Sequence, residues 1–414
     1  MSAIQVAVVG AGPVGLEMAL ALVDGGFDVR VYEAGRVGEQ LSWFHDIALF
    51  TPFSMNSTEA TRARLRRAGV ALPSDDALLT AGDLVDRYLV PIAALPPLRG
   101  RLHERCRVVS IALAGAVKSG ATGRTRGEIP FVLRVEEDGN ARFIEADRVI
   151  DASGVVGRPR SFGPGGLAAR GEEVLGGRVD RHLPSRREDL RARYAGKRAL
   201  LVGNGHSAAT ALVELDALAR NGAGPSRVHW VCRNERFPER LEDPLPARQA
   251  LVSQANVVAG TAAWLVRHSG SVIEAVETSA DDSVDVTLVD PRASGAAIRV
   301  RVDRVLSLAG YRPDTDLYRE LQVHTCYASE APMALAAALA SAKAADPRAA
   351  GDCLTQTTHG PETLRTTEPG FFVIGAKSYG RNPDFLLRLG YEQVRDVMSL
   401  LAASPTRRAV EAPA

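Results

Sequence analysis

The sequence lacks the paired cysteines of a disulfide scaffold or of a thiol redox centre. Its 414 residues contain four cysteines, all far apart along the chain and none in a CxxC pair: Cys106, Cys232, Cys326 and Cys353. Secreted disulfide-rich domains and dithiol oxidoreductases carry denser or closer cysteine sets. This cysteine usage favours a reducing compartment, and we predict a cytoplasmic protein.

The sequence also lacks an excess of charge of one sign. Fifty Lys and Arg residues against 49 Asp and Glu residues give a formal net charge of +1, so no overall field favours nucleic acid or an anionic membrane. The apolar stretch from Met333 to Ala342 is shorter than the roughly 20 residues that cross a bilayer. We therefore predict a soluble protein without nucleic-acid or membrane partners, in which any anionic ligand is bound by a local site.

The length and the composition predict more than one globular domain. At roughly 100–200 residues per domain, a chain of this length forms two or three domains. A hydrophobic fraction of 46% and a charged fraction of 24% are ordinary globular values, and they exclude wholesale disorder.

The first 33 residues read as a strand, a glycine turn, a helix and a second strand. Gly10, Gly12 and Gly15 stand as G-x-G-x-x-G directly after the apolar run of residues 4–9, and Pro13 opens the helical pattern. In this context the first glycine permits the tight turn, the second admits a pyrophosphate and the third lets helix and strand pack closely. Glu33 ends the second strand, where a carboxylate can accept hydrogen bonds from ribose hydroxyls. The alternative is a glycine turn that only packs a helix on a sheet.

A second unit of the same kind begins near residue 194. Gly203, Gly205 and Ala208 follow the apolar strand ALLV, and the next strand ends in Arg233 instead of an acid. A guanidinium can bind a 2′-phosphate, which a carboxylate would repel, so we predict NADPH in preference to NADH. The alternative is a solvated arginine at a strand end. The residues that we assign to this second nucleotide site are Gly203, Gly205, His206, Ser207 and Arg233.

These two units, closed by IDASG at 150–154 and LSLAGYRPD at 306–314, resemble the two-dinucleotide-binding-domain flavoproteins. The segment YAGKRALLVGNGHSAATA is similar to the NADPH turn of flavin-containing monooxygenases. The resemblance implies an α/β fold with two Rossmann-like domains, doubly wound and three-layered, the NADPH domain being inserted in the FAD domain. We place the FAD-binding domain at residues 1–160 and 310–414 and the NADPH-binding domain at residues 161–309.

The resemblance also implies cofactors and a reaction. FAD would bind at the first turn and NADPH at the second, and the enzyme would be a monooxygenase that uses O2. It would oxygenate a nitrogen, sulfur or carbonyl centre of a small molecule through a C4a-(hydro)peroxyflavin. The alternative is an NADPH-dependent flavoprotein reductase or dehydrogenase without oxygenation. A dinucleotide-sensing binding module without turnover is a third hypothesis.

The same resemblance adds four residues to the predicted site. Gly154 ends the first unit, and Gly375 and Lys377 follow a strand that such proteins bring back to the flavin. Lys377 can hold an anionic substrate or a cofactor phosphate, or it is a solvated loop cation. Asn56 resembles in position the asparagine near the flavin of monooxygenases; the alternative is a turn-forming asparagine.

Two further patterns are incomplete in this sequence. Flavin-containing monooxygenases carry a sequence fingerprint before the second glycine turn, in which a histidine is followed four residues later by an aromatic residue. In this sequence His182 stands at the histidine position, but the residue four positions later is Arg186. Cys353 and His359 lie six residues apart without a third ligand nearby, so we predict no metal site. The sequence does not identify the small molecule, and it leaves a homodimer open.

Overall fold

A computed structural model gives the fold, and it describes residues 3–120, 124–184, 186–239, 243–292, 297–345 and 358–403. Within these ranges no helix combines the length and the apolar character that crossing a bilayer requires.

The described chain contains sixteen strands. In chain order they are β1 Gln5–Val9, β2 Asp28–Tyr32, β3 Leu102–His103, β4 Cys106–Leu113, β5 Phe131–Glu137, β6 Asn140–Ala146, β7 Arg148–Asp151, β8 Val179–Asp180, β9 Arg198–Val202, β10 Arg227–Cys232, β11 Leu265–Ser269, β12 Val272–Thr278, β13 Val284–Val289, β14 Ile298–Val302, β15 Arg304–Ser307 and β16 Phe371–Val373.

The same ranges contain eleven α-helices, joined in places by short 3₁₀ turns. They are α1 Pro13–Asp24, α2 Glu39–Ser42, α3 Glu59–Arg67, α4 Ala81–Leu84, α5 Val90–Ala93, α6 Arg124–Gly127, α7 Arg187–Tyr194, α8 His206–Arg220, α9 Pro246–Thr261, α10 Met333–Ala345 and α11 Leu387–Ala403. A π-helical turn at Val85–Leu89 joins α4 to α5.

Two five-stranded parallel sheets form the frame of the molecule. The first has the strand order β16-β7-β1-β2-β3 and the second has the order β11-β10-β9-β15-β8. Each is accompanied by a three-stranded antiparallel sheet, β4-β5-β6 beside the first and β12-β13-β14 beside the second. The chain leaves the first sheet after β7, builds all of the second sheet, and returns to the first in β16. The predicted fold class, α/β with two Rossmann-like units, is confirmed.

Apolar cores bury the helices against these sheets. In the first unit α1 is almost wholly buried, with Leu16, Met18 and Leu22 inaccessible to solvent, and α11 packs beside it. In the second unit α8 and α9 pack together on the sheet face that carries Val228 and Trp230. Helices on the faces of parallel sheets leave the carboxyl edges of the strands open, which is where ligands bind in such folds.

Helix α4 begins with a reciprocal N-terminal cap between Thr80 and Asp83. The Thr80 hydroxyl accepts a hydrogen bond from the Asp83 N–H at 3.0 Å, and the Asp83 carboxylate accepts one from the Thr80 N–H at 3.2 Å. This reciprocal pair satisfies two N–H groups that the first helical turn leaves without partners.

The structure also contains helices that the sequence patterns did not predict. Helix α9 has no acidic residue in its first turn and no side-chain cap, and Pro246 at its first position is the start signal that it does carry. Helix α10 contains the apolar, Ala-rich stretch from Met333 to Ala342. Its pattern is almost uniformly apolar and therefore shows no helical period.

Candidate functional site

The first glycine turn lies between the end of β1 and the start of α1. Gly10 has a φ of 101°, and a side chain there would lie 2.8 Å from the carbonyl oxygen of Ala152. A Cβ on Gly15 would lie 2.1 Å from the carbonyl oxygen of Gly10, whereas one on Gly12 would meet nothing within 4 Å. Gly10 and Gly15 are thus required by packing, and Gly12 leaves open space at the N-terminus of α1.

Pro13 is the first residue of α1, and Gly12 before it offers no side-chain cap. The N–H groups of the first helical turn have no intrahelical acceptor, and the missing N–H of proline at this position costs the helix nothing. The start of α1 therefore presents donors and a partial positive charge toward the open space above Gly12.

The Glu33 carboxylate lies beside this turn. It accepts hydrogen bonds from the Ala11 N–H at 2.7 Å and from the Gly35 N–H at 2.9 Å. Burial raises the pKa of Glu33, and the two backbone donors partly offset that rise. A carboxylate has about four acceptor positions, so Glu33 keeps capacity for ribose hydroxyls.

A cleft of about 300 Å³ opens at the carboxyl edge of the first sheet. It brings together the predicted residues Gly10, Glu33 and Gly154, although Gly154 is far from the other two in sequence. Gly154 has a φ of 73°, and a Cβ there would lie 2.8 Å from the side-chain oxygen of Gln40.

Sequence reasoning missed other residues of the same cleft. Gln40 also lines it, donating to the carbonyl of Ser153 at 3.0 Å and accepting from the Val156 N–H at 3.3 Å. Arg158 and Asp314 form an ion pair at its margin, with an oxygen–nitrogen distance of 2.9 Å. Gln40 and Arg158 belong to no motif quoted above, and Asp314 ends the LSLAGYRPD segment; the fold brings all three to this edge of the sheet.

The second glycine turn repeats this geometry at the edge of the second sheet. Gly203 has a φ of 131°, and a Cβ there would lie 2.4 Å from the carbonyl oxygen of Leu308. A Cβ on Gly205 would meet nothing within 4 Å, and His206 and Ser207 begin α8 in exposed positions. The turn is braced by Trp230, whose indole N–H donates to the Gly203 carbonyl at 2.8 Å.

Arg233 follows the end of β10 and is exposed. Among the described residues it has no ion-pair partner, so its charge is available to a ligand. Strands β10 and β9 are adjacent and parallel, which puts Arg233 and the Gly203–Gly205 turn at the same edge of the sheet. The 2′-phosphate assignment stays a prediction.

The segment of residues 35–60 lies against the second unit. The Phe50 and His206 rings meet edge to face at a centroid distance of 5.6 Å. Trp43 and Phe44 pack on His182, whose Nδ1 is 2.9 Å from the hydroxyl of Tyr311. This segment of the first unit therefore reaches the start of α8.

Lys377 is a buried residue and is not among the residues that line the cleft of the first sheet. Its ammonium is fully buried and lies 2.6 Å from a carboxylate oxygen of Asp151 and 3.0 Å from the hydroxyl of Ser153. The loop-cation alternative is wrong because the side chain is not solvated. The ammonium already has a carboxylate partner, so binding of a cofactor phosphate remains an untested prediction that these contacts do not support.

Asn56 is buried and hydrogen-bonded within its own loop. Its side-chain oxygen accepts from the Thr51 hydroxyl at 2.8 Å, and its amide donates to the Thr51 carbonyl at 2.9 Å. Its backbone carbonyl accepts from the hydroxyl of Tyr391 at 2.7 Å. These contacts match the turn-forming alternative, and a catalytic role for Asn56 stays a prediction.

Gly375 lies close to the first turn. It has a φ of 71°, its N–H donates to the Gln393 side chain at 2.8 Å, and a Cβ there would lie 3.6 Å from Val14 at the start of α1. The returning chain is thus in contact with the helix that the first turn opens.

The described ranges contain no group of three metal-ligating side chains close together. Cys353 lies outside the described residues. Cys106 and Cys232 are buried and free, and Cys326 is half-buried and free.

Residues 4–367 match the family described as pyridine nucleotide-disulphide oxidoreductase. The chain belongs to this family. Its members are FAD-dependent oxidoreductases of the FAD/NAD(P) type. The search of curated proteins found no match.

Solved structures of this family's fold cover nearly all of the chain. Bacillithiol disulfide reductase from Bacillus cereus is 17% identical with a TM-score of 0.67, over 97% of this chain and 99% of that one. Ornithine N-hydroxylase from Kutzneria sp. 744 is 15% identical with a TM-score of 0.61, over 97% and 100%. Thioredoxin reductase from T. acidophilum is 14% identical with a TM-score of 0.60, over 96% and 98%. At these identities the likeness shows the fold alone.

The residues at the first turn of this oxidoreductase fit a flavin dinucleotide. Gly12 leaves space where a side chain would stand, the N-terminus of α1 offers donors, and Glu33 offers acceptors in the same cleft. These are the groups that a pyrophosphate and a ribose require.

Proposed function

We propose that this oxidoreductase is an FAD-dependent, NADPH-oxidising monooxygenase that acts on a small molecule with O2 as co-substrate. FAD would bind in the unit formed by residues 1–160 and 310–414, and NADPH in the unit formed by residues 161–309. The observation that carries the proposal is the pair of open glycine turns: directly after the following strand the first has Glu33, whereas the second has Arg233, which has no ion-pair partner among the described residues.

The overall reaction balances with one reductant and one oxidant. NADPH supplies two electrons and the substrate supplies two. O2 accepts all four, so that one oxygen atom enters the product and the other leaves as water with one proton from solvent and one hydrogen from NADPH. Bound FAD would supply the redox chemistry that links NADPH to O2. The protein would orient the reactants, provide the electrostatic environment and control the access of water.

The chain's own residues would position the coenzymes. Glu33 would accept from the ribose hydroxyls of FAD while Ala11 and Gly35 hold its carboxylate in place. Gly205 and the first turn of α8 would receive the pyrophosphate of NADPH, and Arg233 would bind its 2′-phosphate. Gly154 and Gln40, which line the same cleft as Glu33, would lie beside the bound FAD.

The cysteine positions disfavour dithiol chemistry. Cys106 is in β4 and Cys232 is in β10, both buried, and burial raises the pKa of each thiol. A redox dithiol requires two close cysteines, at least one with access to its partner substrate. The three described cysteines provide no such pair.

A second candidate function is NADPH-dependent reduction of a small molecule without oxygenation. The position of Asn56 favours it, because this residue is the one that the resemblance assigned to oxygen chemistry. Its amide is engaged with Thr51 and buried. If no other group replaces it beside the flavin, oxygen activation lacks a protein donor.

Anaerobic reduction followed by mixing with oxygen separates the two functions. The purified flavin-containing protein is reduced with NADPH under anaerobic conditions and then mixed with air-saturated buffer while the flavin absorbance is followed. A monooxygenase reoxidises in air, whereas a reductase stays reduced until an electron acceptor such as ferricyanide is added. A protein that never takes up FAD contradicts both proposals.

The coenzyme preference has its own test. Arg233→Ala is expected to raise the KM for NADPH by roughly tenfold or more and to leave the KM for NADH nearly unchanged, because the lost contact is to the 2′-phosphate. Arg227→Ala, an exposed arginine at the opposite end of the same strand, is the matched control. Equal effects on both coenzymes would remove the 2′-phosphate assignment.

A further inference from the structure

Arg160 lies between the two units, at the carboxyl edge of the second sheet. Its N–H donates to the carbonyl of Gly310 at 2.9 Å, and its Cδ would be 3.9 Å from a Cβ placed on Gly310. Gly310 follows β15, which pairs in parallel with β9, and the Gly203 turn at the end of β9 packs on Leu308. Arg160 is therefore attached to the strand end next to the second glycine turn.

The Arg160 side chain lacks the counter-charge that neighbouring arginines have. Arg158 is paired with Asp314, and Arg381 is paired with Glu330 at 2.6 Å. Arg160 has no ion-pair partner within the described ranges, and its Nε is buried without a hydrogen bond. An unpaired, partly buried guanidinium is costly, so this arrangement favours an anion as the missing partner.

Positive charge accumulates around Arg160. Burial lowers its pKa, and the nearby charges of Arg381 and Arg233 lower it further, while Glu330 offsets part of the effect. Of these groups Arg381 is paired with Glu330, and Arg160 and Arg233 have no ion-pair partner among the described residues. This local excess contrasts with a chain whose formal net charge is +1, and it marks the cluster as an anion site.

The strand order indicates which anionic group reaches each arginine. In the order β10-β9-β15, Arg233 follows β10, where the adenine ribose of a dinucleotide lies, and the pyrophosphate lies over the glycine turn after β9. Arg160 is on the opposite side of that turn, next to the end of β15. It is therefore closer to the pyrophosphate than to a 2′-phosphate.

We propose that Arg160 binds the pyrophosphate of the pyridine nucleotide held at the second glycine turn, opposite Arg233. This inference rests on the proposed function, since it requires that a pyridine nucleotide binds there. Because the pyrophosphate is common to NADPH and NADH, Arg160 contributes to both, whereas Arg233 contributes to NADPH alone.

The test measures binding of the oxidised coenzymes, which undergo no turnover. NADP+ and NAD+ are titrated by calorimetry into the full-length, flavin-loaded protein and into Arg160→Gln, Arg160→Lys, Arg233→Ala and the control Arg227→Ala. We expect Arg160→Gln to weaken the binding of both coenzymes by a similar factor of roughly ten, because one charge-assisted hydrogen bond is lost. Arg160→Lys should recover part of the affinity, and Arg227→Ala should change neither.

Four outcomes overturn the inference. The first is an unchanged affinity of Arg160→Gln for both coenzymes, and the second is a loss of affinity confined to NADP+. The third is a loss of retained FAD, which would assign Arg160 to the FAD site instead. The fourth is that the wild-type protein binds neither coenzyme. The last of these also refutes the proposed function, whereas the first three leave it standing. Retained FAD and the thermal midpoint of each variant show whether it has folded, and Arg160→Lys keeps the test valid if Arg160→Gln does not fold.

Discussion

At the scale of single residues, Glu33 combines a structural and a binding role. Its two carboxylate oxygens hold the Ala11 and Gly35 N–H groups, which fixes the turn around the open space above Gly12. Glu33 also lines the cleft at the edge of the first sheet. A carboxylate that the backbone already orients loses little freedom when it accepts a ribose hydroxyl.

Glu33→Ala is expected to weaken FAD binding by roughly tenfold or more, because hydrogen bonds to a charged group contribute about 1.5–3 kcal/mol. The measurement is the FAD dissociation constant from flavin fluorescence, together with the flavin retained after gel filtration. Glu136→Ala, an exposed carboxylate on β5, is the control and should retain its flavin. Full flavin retention in Glu33→Ala would show that this carboxylate does not contact the ribose.

At the scale of secondary-structure elements, each glycine turn divides its tasks among its glycines. In the first turn Gly15 lets α1 pack against the end of β1, since its missing Cβ would press on the Gly10 carbonyl. Gly12 has space around it and extended backbone angles that other residues adopt. Gly15 is therefore needed for folding, whereas Gly12 is needed for binding of the ligand.

Gly15→Ala and Gly12→Ala should therefore fail in different ways. In Gly15→Ala the added methyl group collides with the Gly10 carbonyl and pushes α1 away from the end of β1. This variant should therefore be less stable than the wild type by about 1–3 kcal/mol. Gly12→Ala should cost less than about 1 kcal/mol of stability but reduce FAD uptake, because its methyl group occupies the pyrophosphate's approach. Chemical denaturation and flavin content measure the two effects. A stable, flavin-saturated Gly12→Ala protein would contradict the assignment.

Strands β10 and β11 carry a histidine pair from which we expect a pH-dependent stability. His229 Nδ1 lies 2.9 Å from His268 Nε2, an arrangement that requires at least one neutral ring. Burial, then the charges of His268 and Arg227, lower the pKa of His229 to about 4, and burial lowers the pKa of His268.

Folding therefore favours the neutral histidines, and the unfolded chain binds the extra protons. The contribution of the neutral pair to the free energy of unfolding is complete above about pH 6.5, the pKa of a histidine in the unfolded chain. It is lost as the pH falls toward 4, the pKa of His229 in the folded protein. His268→Gln should flatten the pH dependence of the free energy of unfolding between pH 7.5 and 5, whereas the exposed His324→Gln should not. An unchanged slope in His268→Gln would disprove the role of the pair.

At the scale of the whole molecule, buried charges join segments that are far apart in sequence. The Arg126 guanidinium binds both carboxylate oxygens of Glu368 at 2.7 and 2.9 Å, and both side chains are fully buried. Glu368 also accepts from the Gln322 N–H at 2.8 Å. One carboxylate thus fixes three parts of the chain just before it returns to the first sheet in β16.

Glu368→Ala should destabilise the protein by about 3–5 kcal/mol, because it leaves the Arg126 charge buried without its partner. The double variant Arg126→Met, Glu368→Leu should be considerably more stable than Glu368→Ala, since it leaves no unpaired charge. Urea denaturation followed by circular dichroism measures both. A double variant as unstable as the single one would show that packing, and not charge pairing, dominates there.

Local sequence patterns predict the two glycine turns and the placement of Glu33 and Arg233 at the ends of strands. Each of these depends on residues within one strand-turn-helix-strand unit, so local spacing suffices to predict it. The long-range contacts come from the tertiary structure: Lys377 is buried against Asp151, 226 residues away, the Tyr391 hydroxyl donates to the Asn56 carbonyl, and Arg160 lies beside the second turn. Such contacts follow from how the chain returns to each sheet edge, and no local period or motif encodes that return.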